Sequence, residues 1–426
     1  MRTLSMGSRG PAVQLLQLAL NRAGVTPLVT DGRFGPATRA ALADFQRRME
    51  LRPDGVAGNL SHRALLPWYT GYTTHRVRRG ESFWSVARLY GAQPEAVQTA
   101  NPALAPESIP IGAELTVPLP FPVVPTEIDF CAALLAFCVQ GLTARYPAIL
   151  RSGVMGRSVM GTPLRTLRMG QGSNRVLYNA VHHANEWITA PLLLRFAEEL
   201  AAAAAAGGSL SGMDAAEILD YAELLLVPAL DPDGMDLVTG ELRDGRFYTQ
   251  AQNIAAHFPR FRFPEGWKAN IRGVDLNLQY PAGWERAREI KFSQGINSPA
   301  PADFVGAAPL EAPESRALWE LTRSFDPALT LSLHTQGEVI YWKYLDIEPL
   351  GAEQIAALFA ELSGYAAEET PYASGFAGYK DWFIQDYGRP GFTIEAGRGV
   401  NPLPISDVAA IYERLRPVLT VAALVT

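Results

Sequence analysis

RVLYNAVHHANEWITAP (residues 175–191) runs an apolar segment directly into two adjacent histidines and a glutamate. A short apolar run reads as a strand, and the following APLLLRFAEELAAAAAA (190–206) reads as an amphipathic helix. The same strand-like signal recurs in ELLLVPAL (223–230), ALTLSLH (328–334) and GFTIEAG (391–397), with helical stretches between. That alternation predicts an α/β domain with a mixed, mostly parallel sheet flanked by helices. In such sheets ligands gather beyond the strand C-termini, where His183, His334 and Glu395 all fall. His183 and Glu186 are spaced i, i+3, so a turn after the strand points both at one spot. A catalytic zinc ion takes three nitrogen or oxygen ligands and keeps one open position. One His-x-x-Glu is weak evidence of such a site, but three strand ends carrying His, His and Glu make a constellation.

Composition sets the frame. Apolar residues are 48% and charged residues 19% of 426, which places the chain among folded globular proteins. No apolar run approaches the roughly 18 residues of a membrane span. The opening MRTLSMGSRG lacks a secretory apolar core, so a cytoplasmic or sporulation-linked location is expected. Cys131 and Cys138, seven apart in an apolar helix, sit too far apart for a disulfide and are expected as buried thiols. Residues 1–70 carry nine Arg against four acidic residues, whereas 121–426 carry 24 basic against 35 acidic. A basic front on an acidic body suits an anionic surface. No basic stripe with interleaved aromatics argues for nucleic acid.

Three domains are expected, at 1–70, 71–120 and 121–426. The first contains an internal echo, DGRFGPATRAAL (31–42) and DGVAGNLSHRAL (54–65), each an Asp-Gly turn, a Gly three residues on and a helical stretch. With Val13, Leu16, Gln17 and Leu20 before it, this segment resembles a small all-α peptidoglycan-binding module. The second, HRVRRGESFWSVARLYGAQPEAVQTANPALAPESIPIGAELTVP (75–118), reads as strand, two helices, strand. Through Val77, Gly80, Ser82, Val86, Ala87, Tyr90 and Asn101 it resembles a βααβ lysin-motif (LysM) domain, a family that binds N-acetylglucosamine-containing glycans. LPFPVVPTE (119–127) reads as a stiff linker.

Residues 170–405 resemble the zinc carboxypeptidase family. The resemblance implies Zn2+ held by His183, Glu186 and His334, with Glu395 as general base. His182, at i, i+4 from Glu186, could also reach a metal, but the family spacing favours His183. Lys268 falls where the family has an oxyanion-stabilising arginine, and Arg272 is a possible substitute. Asn277 matches half of the pair that holds a substrate's terminal carboxylate, while Leu278 replaces the arginine of that pair. Lys380 lies at a position lining the specificity pocket, and Tyr372 matches a substrate-binding tyrosine with a one-residue offset. Asp231 in VPALDPDGMDL (227–237) reads as a structural turn, Asp381 and Trp382 as supporting residues, and His62, His75 and His257 as packing or surface residues. Only four lysines stand against 33 arginines, and two of them occupy active-site motif positions.

HHANEWIT, WKANIRGVDLN, INSPAP, HTQGEVIYW and GRGVNPLP look like the bacterial γ-D-glutamyl-L-diamino-acid endopeptidases. That likeness implies a zinc-dependent peptidoglycan hydrolase cleaving the γ-D-glutamyl bond to meso-diaminopimelate in stem peptides. Residues 1–120 would meet glycan strands, and Lys268, Lys380, Arg272 or Arg398 would meet the substrate's extra carboxylates. The alternatives are a zinc carboxypeptidase trimming stem peptides and an inactive wall-binding protein.

Overall fold

The computed structural model describes residues 1–105 and 108–425. The chain divides into two compact units, Met1–Ser152 and Gly153–Thr426. Among the described residues no helix is long and apolar enough to cross a membrane.

The first unit opens with helices Pro11–Arg22, Pro36–Arg48 and Asn59–Thr70. The echo seen in the sequence has a physical basis in two buried glutamines. Gln17 Nε2 donates to Asp31 Oδ1, the Arg33 carbonyl and Thr38 Oγ1, while its Oε1 accepts the Gly32 amide. Gln46 repeats the set with Asp54, Val56, Ser61 and Gly55. Each Asp-Gly turn is thus tied to the preceding helix by one side chain, and both turn glycines, Gly32 and Gly55, have positive φ.

Strands β1 (Tyr72–Arg76) and β2 (Glu114–Pro118) pair antiparallel around helices Phe83–Tyr90 and Pro94–Ala100, which gives the expected βααβ order. Ser82 and Ser85 form a reciprocal capping box at the first of these helices. Asn101 bonds the Thr116 amide and carbonyl, so it pins β2 to the second helix. His75 is buried between Glu81 and Tyr90, and His62 bonds Tyr69, whereas His257 is exposed.

Residues 121–152 group with the first compact unit. Helix Ala132–Arg145 buries Leu134, Leu135, Cys138, Val139 and Leu142 there. Its last residue, Arg145, donates to the carbonyls of Gly71, Leu119 and Phe121. The same helix meets Thr70 so closely at Gly141 that a Cβ would come within 2.0 Å of the Thr70 carbonyl oxygen. Both cysteines are buried and form no disulfide.

The second unit is built on an eight-stranded sheet: β3 (Leu150–Arg157), β4 (Pro163–Met169), β5 (Asn174–Ala180), β8 (Ala222–Val227), β9 (Leu329–His334), β10 (Val339–Tyr341), β11 (Ala366–Glu368) and β12 (Gly391–Glu395). A separate hairpin holds β6 (Ser209–Leu210) and β7 (Met213–Asp214). The sheet order is β11-β10-β12-β9-β5-β8-β4-β3. The four central strands β12, β9, β5 and β8 are parallel, and β10 and β4 join their outer sides antiparallel. Alternation along β5 shows both faces covered. Leu177 joins a core with Leu318 and Phe383, while Tyr178 meets Phe196 edge-on and bonds the Leu419 carbonyl.

Behind the sheet, Glu314 is fully buried, accepting from the Val159 amide and Asn270 Nδ2. Burial, reinforced by Asp233, raises its pKa to about 7. A carboxyl raised in the folded state binds its proton there after the unfolded chain has lost it. Stability therefore falls as pH rises from the unfolded value of 4.5 towards 7 and levels off above. Calorimetry of Glu314→Gln should show that fall flattened by about 3 kcal/mol relative to wild type. In the first unit, Gln17→Leu leaves the buried Gly32 amide without its acceptor and removes one partner each from Asp31 and Thr38, and should destabilise that unit by about 1–3 kcal/mol in denaturant titration.

Candidate active site

The chain reaches the site through a strained residue. Just after β5, Val181 takes φ 53°, a left-handed conformation costly for a β-branched side chain. Its amide donates to Thr189 Oγ1 and its carbonyl accepts the Asp231 amide. Those bonds hold the turn that throws His183 and Glu186 to one side, with Ala184–Glu186 forming a 3-10 turn ahead of helix Thr189–Ala205. Asp231 also accepts the Gly234 amide, so it is a turn residue as expected. His334 ends β9 and Glu395 ends β12, directly opposite each other in register. Three parallel strands thus deliver their polar residues at one end of the sheet.

His183, Glu186 and His334 are buried, and their ligating atoms lie within 4.8 Å of one another. His183 Nδ1 is 2.9 Å from Glu186 Oε1, His334 Nδ1 is 2.9 Å from Glu186 Oε2, and the two Nδ1 atoms are 3.1 Å apart. Tetrahedral zinc with bonds of roughly 2 Å spaces its ligands by about 3.3 Å. The donor set therefore fits a zinc ion in both chemistry and spacing. His183 Nε2 faces Asp275 Oδ1 at 3.2 Å, which orients the ring with Nδ1 towards the cluster. Asp275 is itself held by the Asn277 and Asp303 amides. His182 stands outside the cluster, bonding Tyr280 and stacking on His334. Burial pushes its pKa well down, so it stays neutral.

The other charges are organised around this cluster. Burial opposes charge on His183, but Glu186 and Asp275 outweigh it and hold its pKa up at about 9. Burial would raise Glu186, yet His183 and His334 carry it below the usual carboxylate range. For Glu395 burial prevails: its carboxyl is raised despite His334 and Lys268. Lys268 is kept protonated against burial by Asp275, Glu186, Asp303 and Glu395.

A zinc carboxypeptidase family model matches residues 136–411. The chain belongs to the zinc carboxypeptidase family. It is a zinc metallopeptidase, preceded by matches to a peptidoglycan binding domain at 9–65 and a LysM domain at 75–118. Gamma-D-glutamyl-L-diamino acid endopeptidase 1 of Lysinibacillus sphaericus is 41% identical over 278 residues, 65% of this chain and 67% of that one. Zinc D-Ala-D-Ala carboxypeptidase of Streptomyces albus G is 34% identical over 102 residues, 22% of this chain and 40% of its own length. Among solved structures, bovine thrombin-activatable fibrinolysis inhibitor in complex with tick carboxypeptidase inhibitor shares the fold, with TM-score 0.54 at 17% identity over 70% of this chain and 97% of that one.

Within this zinc carboxypeptidase fold, a cavity of about 210 Å³ adjoins the cluster. His183, Lys268, Asn277, Leu278, Lys380 and Glu395 line it, together with Asp275, Lys291, Asp303 and Asp381. Three expected residues stand elsewhere. Tyr372 is 60% exposed and its ring packs edge-on against Phe376, because the 3-10 turn Tyr372–Ser374 presents its neighbours Pro371 and Ser374 to the cavity instead. Arg272 is exposed and outside the lining. Arg398 is exposed and shares Glu338 with Arg414. Lys380 lines the cavity as expected but is no bare cation, since Asp381 lies 2.6 Å away. Sequence reasoning missed Asp275, Lys291 and Asp303. The scarcity of lysine was a usable signal for Lys291, which pairs with Asp303 at 2.6 Å.

Replacing Asp275 by Asn removes the carboxylate behind His183 while keeping its size. Competition against a chromophoric chelator should then give zinc affinity weakened about 10- to 100-fold, with the metal-to-protein ratio at saturation still one. Unchanged affinity would mean that Asp275 does not orient this ligand.

Proposed function

We propose that this zinc metallopeptidase hydrolyses the γ-D-glutamyl bond to meso-diaminopimelate in peptidoglycan stem peptides, held on the wall by its N-terminal modules. The observation that carries the reading is Leu278, which lines the cavity beside Asn277. An apolar side chain offers a terminal carboxylate nothing, so a bond inside the peptide is favoured over removal of a C-terminal residue. The name of the Lysinibacillus sphaericus relative and the two module matches support the same substrate.

The residue roles follow from the arrangement. His183, Glu186 and His334 hold zinc, which when bound supplies a Lewis acid that acidifies water and polarises the scissile carbonyl. Glu395, raised by burial, takes a proton from the attacking water and hands it to the leaving amine. Lys268 places a permanent positive charge towards the oxygen that becomes negative in the transition state. Its ammonium lacks the forked geometry of an arginine, so it acts as a point charge.

Mass spectrometry of products from L-Ala-γ-D-Glu-meso-diaminopimelate and its D-Ala-extended tetrapeptide tests this. The zinc-loaded protein should release L-Ala-D-Glu from both, and Glu395→Gln should lower the rate by about 10³-fold. Loss of D-Ala alone from the tetrapeptide would replace this reading with a carboxypeptidase. A bell-shaped pH profile should have its acidic limb above an ordinary carboxylate pKa, because Glu395 must be ionised to accept the proton.

A further inference from the structure

The two histidines of the metal cluster are held in unlike ways. His183 has a carboxylate on its outer nitrogen, Asp275 at 3.2 Å. His334 points Nδ1 into the cluster, and among the described residues its outer nitrogen, Nε2, is buried with no hydrogen-bond partner. A metal-bound histidine ordinarily gives that outer N–H to a carboxylate, a carbonyl or water, and the bond fixes the orientation of its ring. What meets the His334 ring instead is the face of another ring. His182 is stacked on it, with centroids 5.4 Å apart and planes 23° apart, inside the range of a favourable offset pair.

His182 is itself held from behind. Its Nε2 meets the Tyr280 hydroxyl at 3.2 Å, and the rings of Tyr280 and Tyr379 lie 6.1 and 5.7 Å from its own. Those two tyrosines pack edge-on at 5.2 Å, Tyr280 stacks on Trp382, and the Tyr379 hydroxyl bonds Thr322 Oγ1. Every ring of this wall is buried. The turn at Val181 therefore uses adjacent side chains for separate tasks: His183 enters the cluster, and His182 braces the ligand supplied by the other strand.

We infer that His182 is a positioning residue for the metal ligand His334: its flat face, backed by Tyr280 and Tyr379, restricts rotation of the His334 ring and keeps Nδ1 aimed at the metal. The role belongs to the ring face and not to a ring nitrogen. Nδ1 of His182 is also buried without a partner among the described residues, and no hydrogen bond joins the two rings. A flat ring of similar size should therefore serve, and an aliphatic side chain of similar bulk should not. The inference concerns the metal and holds whichever peptide is cleaved.

The test compares full-length His182→Phe and His182→Leu proteins with wild type. Zinc affinity is measured by competition against a chromophoric chelator, and the visible absorption of the cobalt(II)-loaded proteins is recorded beside it. His182→Leu should weaken zinc binding about 10-fold and displace the cobalt bands, whereas His182→Phe should stay within about twofold of wild type with its bands in place. The cobalt spectrum reports ligand geometry in the folded, metal-bound fraction, which a general loss of stability does not move. Where His182→Leu does not fold, His182→Met fills the same space and carries the same expectation. Wild-type affinity and bands in both variants would overturn the role, because the ring would then be dispensable. Equal weakening in both would overturn it too, since the imidazole nitrogens and not the flat face would then matter.

Discussion

A carboxylate buried between two imidazoles is the constraint on which the catalytic unit rests. Glu186 sits 2.9 Å from His183 and 2.9 Å from His334, out of contact with solvent. Burying these groups is costly unless their charges are matched, and removing one partner strands the others. The surrounding architecture meets that demand. Parallel pairing sets Ala180 against Leu333 and His334 against Glu395, so the two histidines and the base emerge at one end of adjacent strands. Val181 absorbs the backbone strain of the turn, and Thr189 and Asp231 hold it in place.

Around that cluster the charges come in pairs or short chains. Asp275 links His183 to the Asp303 amide, Asp303 meets Lys291, and Asp381 meets Lys380. Lys268 sees four carboxylates. Pairing of this kind lets a small cavity hold many ionised groups without a large net field, and it gives the cavity positions where an incoming charge is either complemented or repelled. An arginine-lined pocket would be a uniform anion trap; lysine–aspartate pairs make a more selective surface.

The first unit uses a different economy. It has small cores, and buried polar side chains fix its turns. Gln17 and Gln46 perform the same task twice, which explains why the motif recurs in the sequence at all. Arg145 gathers three carbonyls at the meeting of Gly71 with Leu119 and Phe121, so helix Ala132–Arg145 closes the two small modules into one unit.

The sequence by itself determined the parallel α/β core and the two module folds, and its family resemblance pointed to His183, Glu186 and His334, which the structure brings together. Strand periodicity and the i, i+3 spacing are local properties, and catalytic residues at strand ends stand beside readable apolar runs. His182 and His183 are adjacent, and only the family resemblance separated them; in the structure His182 turns towards Tyr280. What tertiary structure decided were relations between distant residues. Asp275 lies 92 positions from His183, and the Lys380 ammonium finds a carbonyl 37 positions away. Nothing local marks such partners. Tyr372 and Arg398 show the reverse limit: motif alignment gives a position, but side-chain direction depends on neighbours such as Phe376 and Glu338. Local pattern therefore specified which groups the site contains, and long-range packing specified which charges remain open to a ligand.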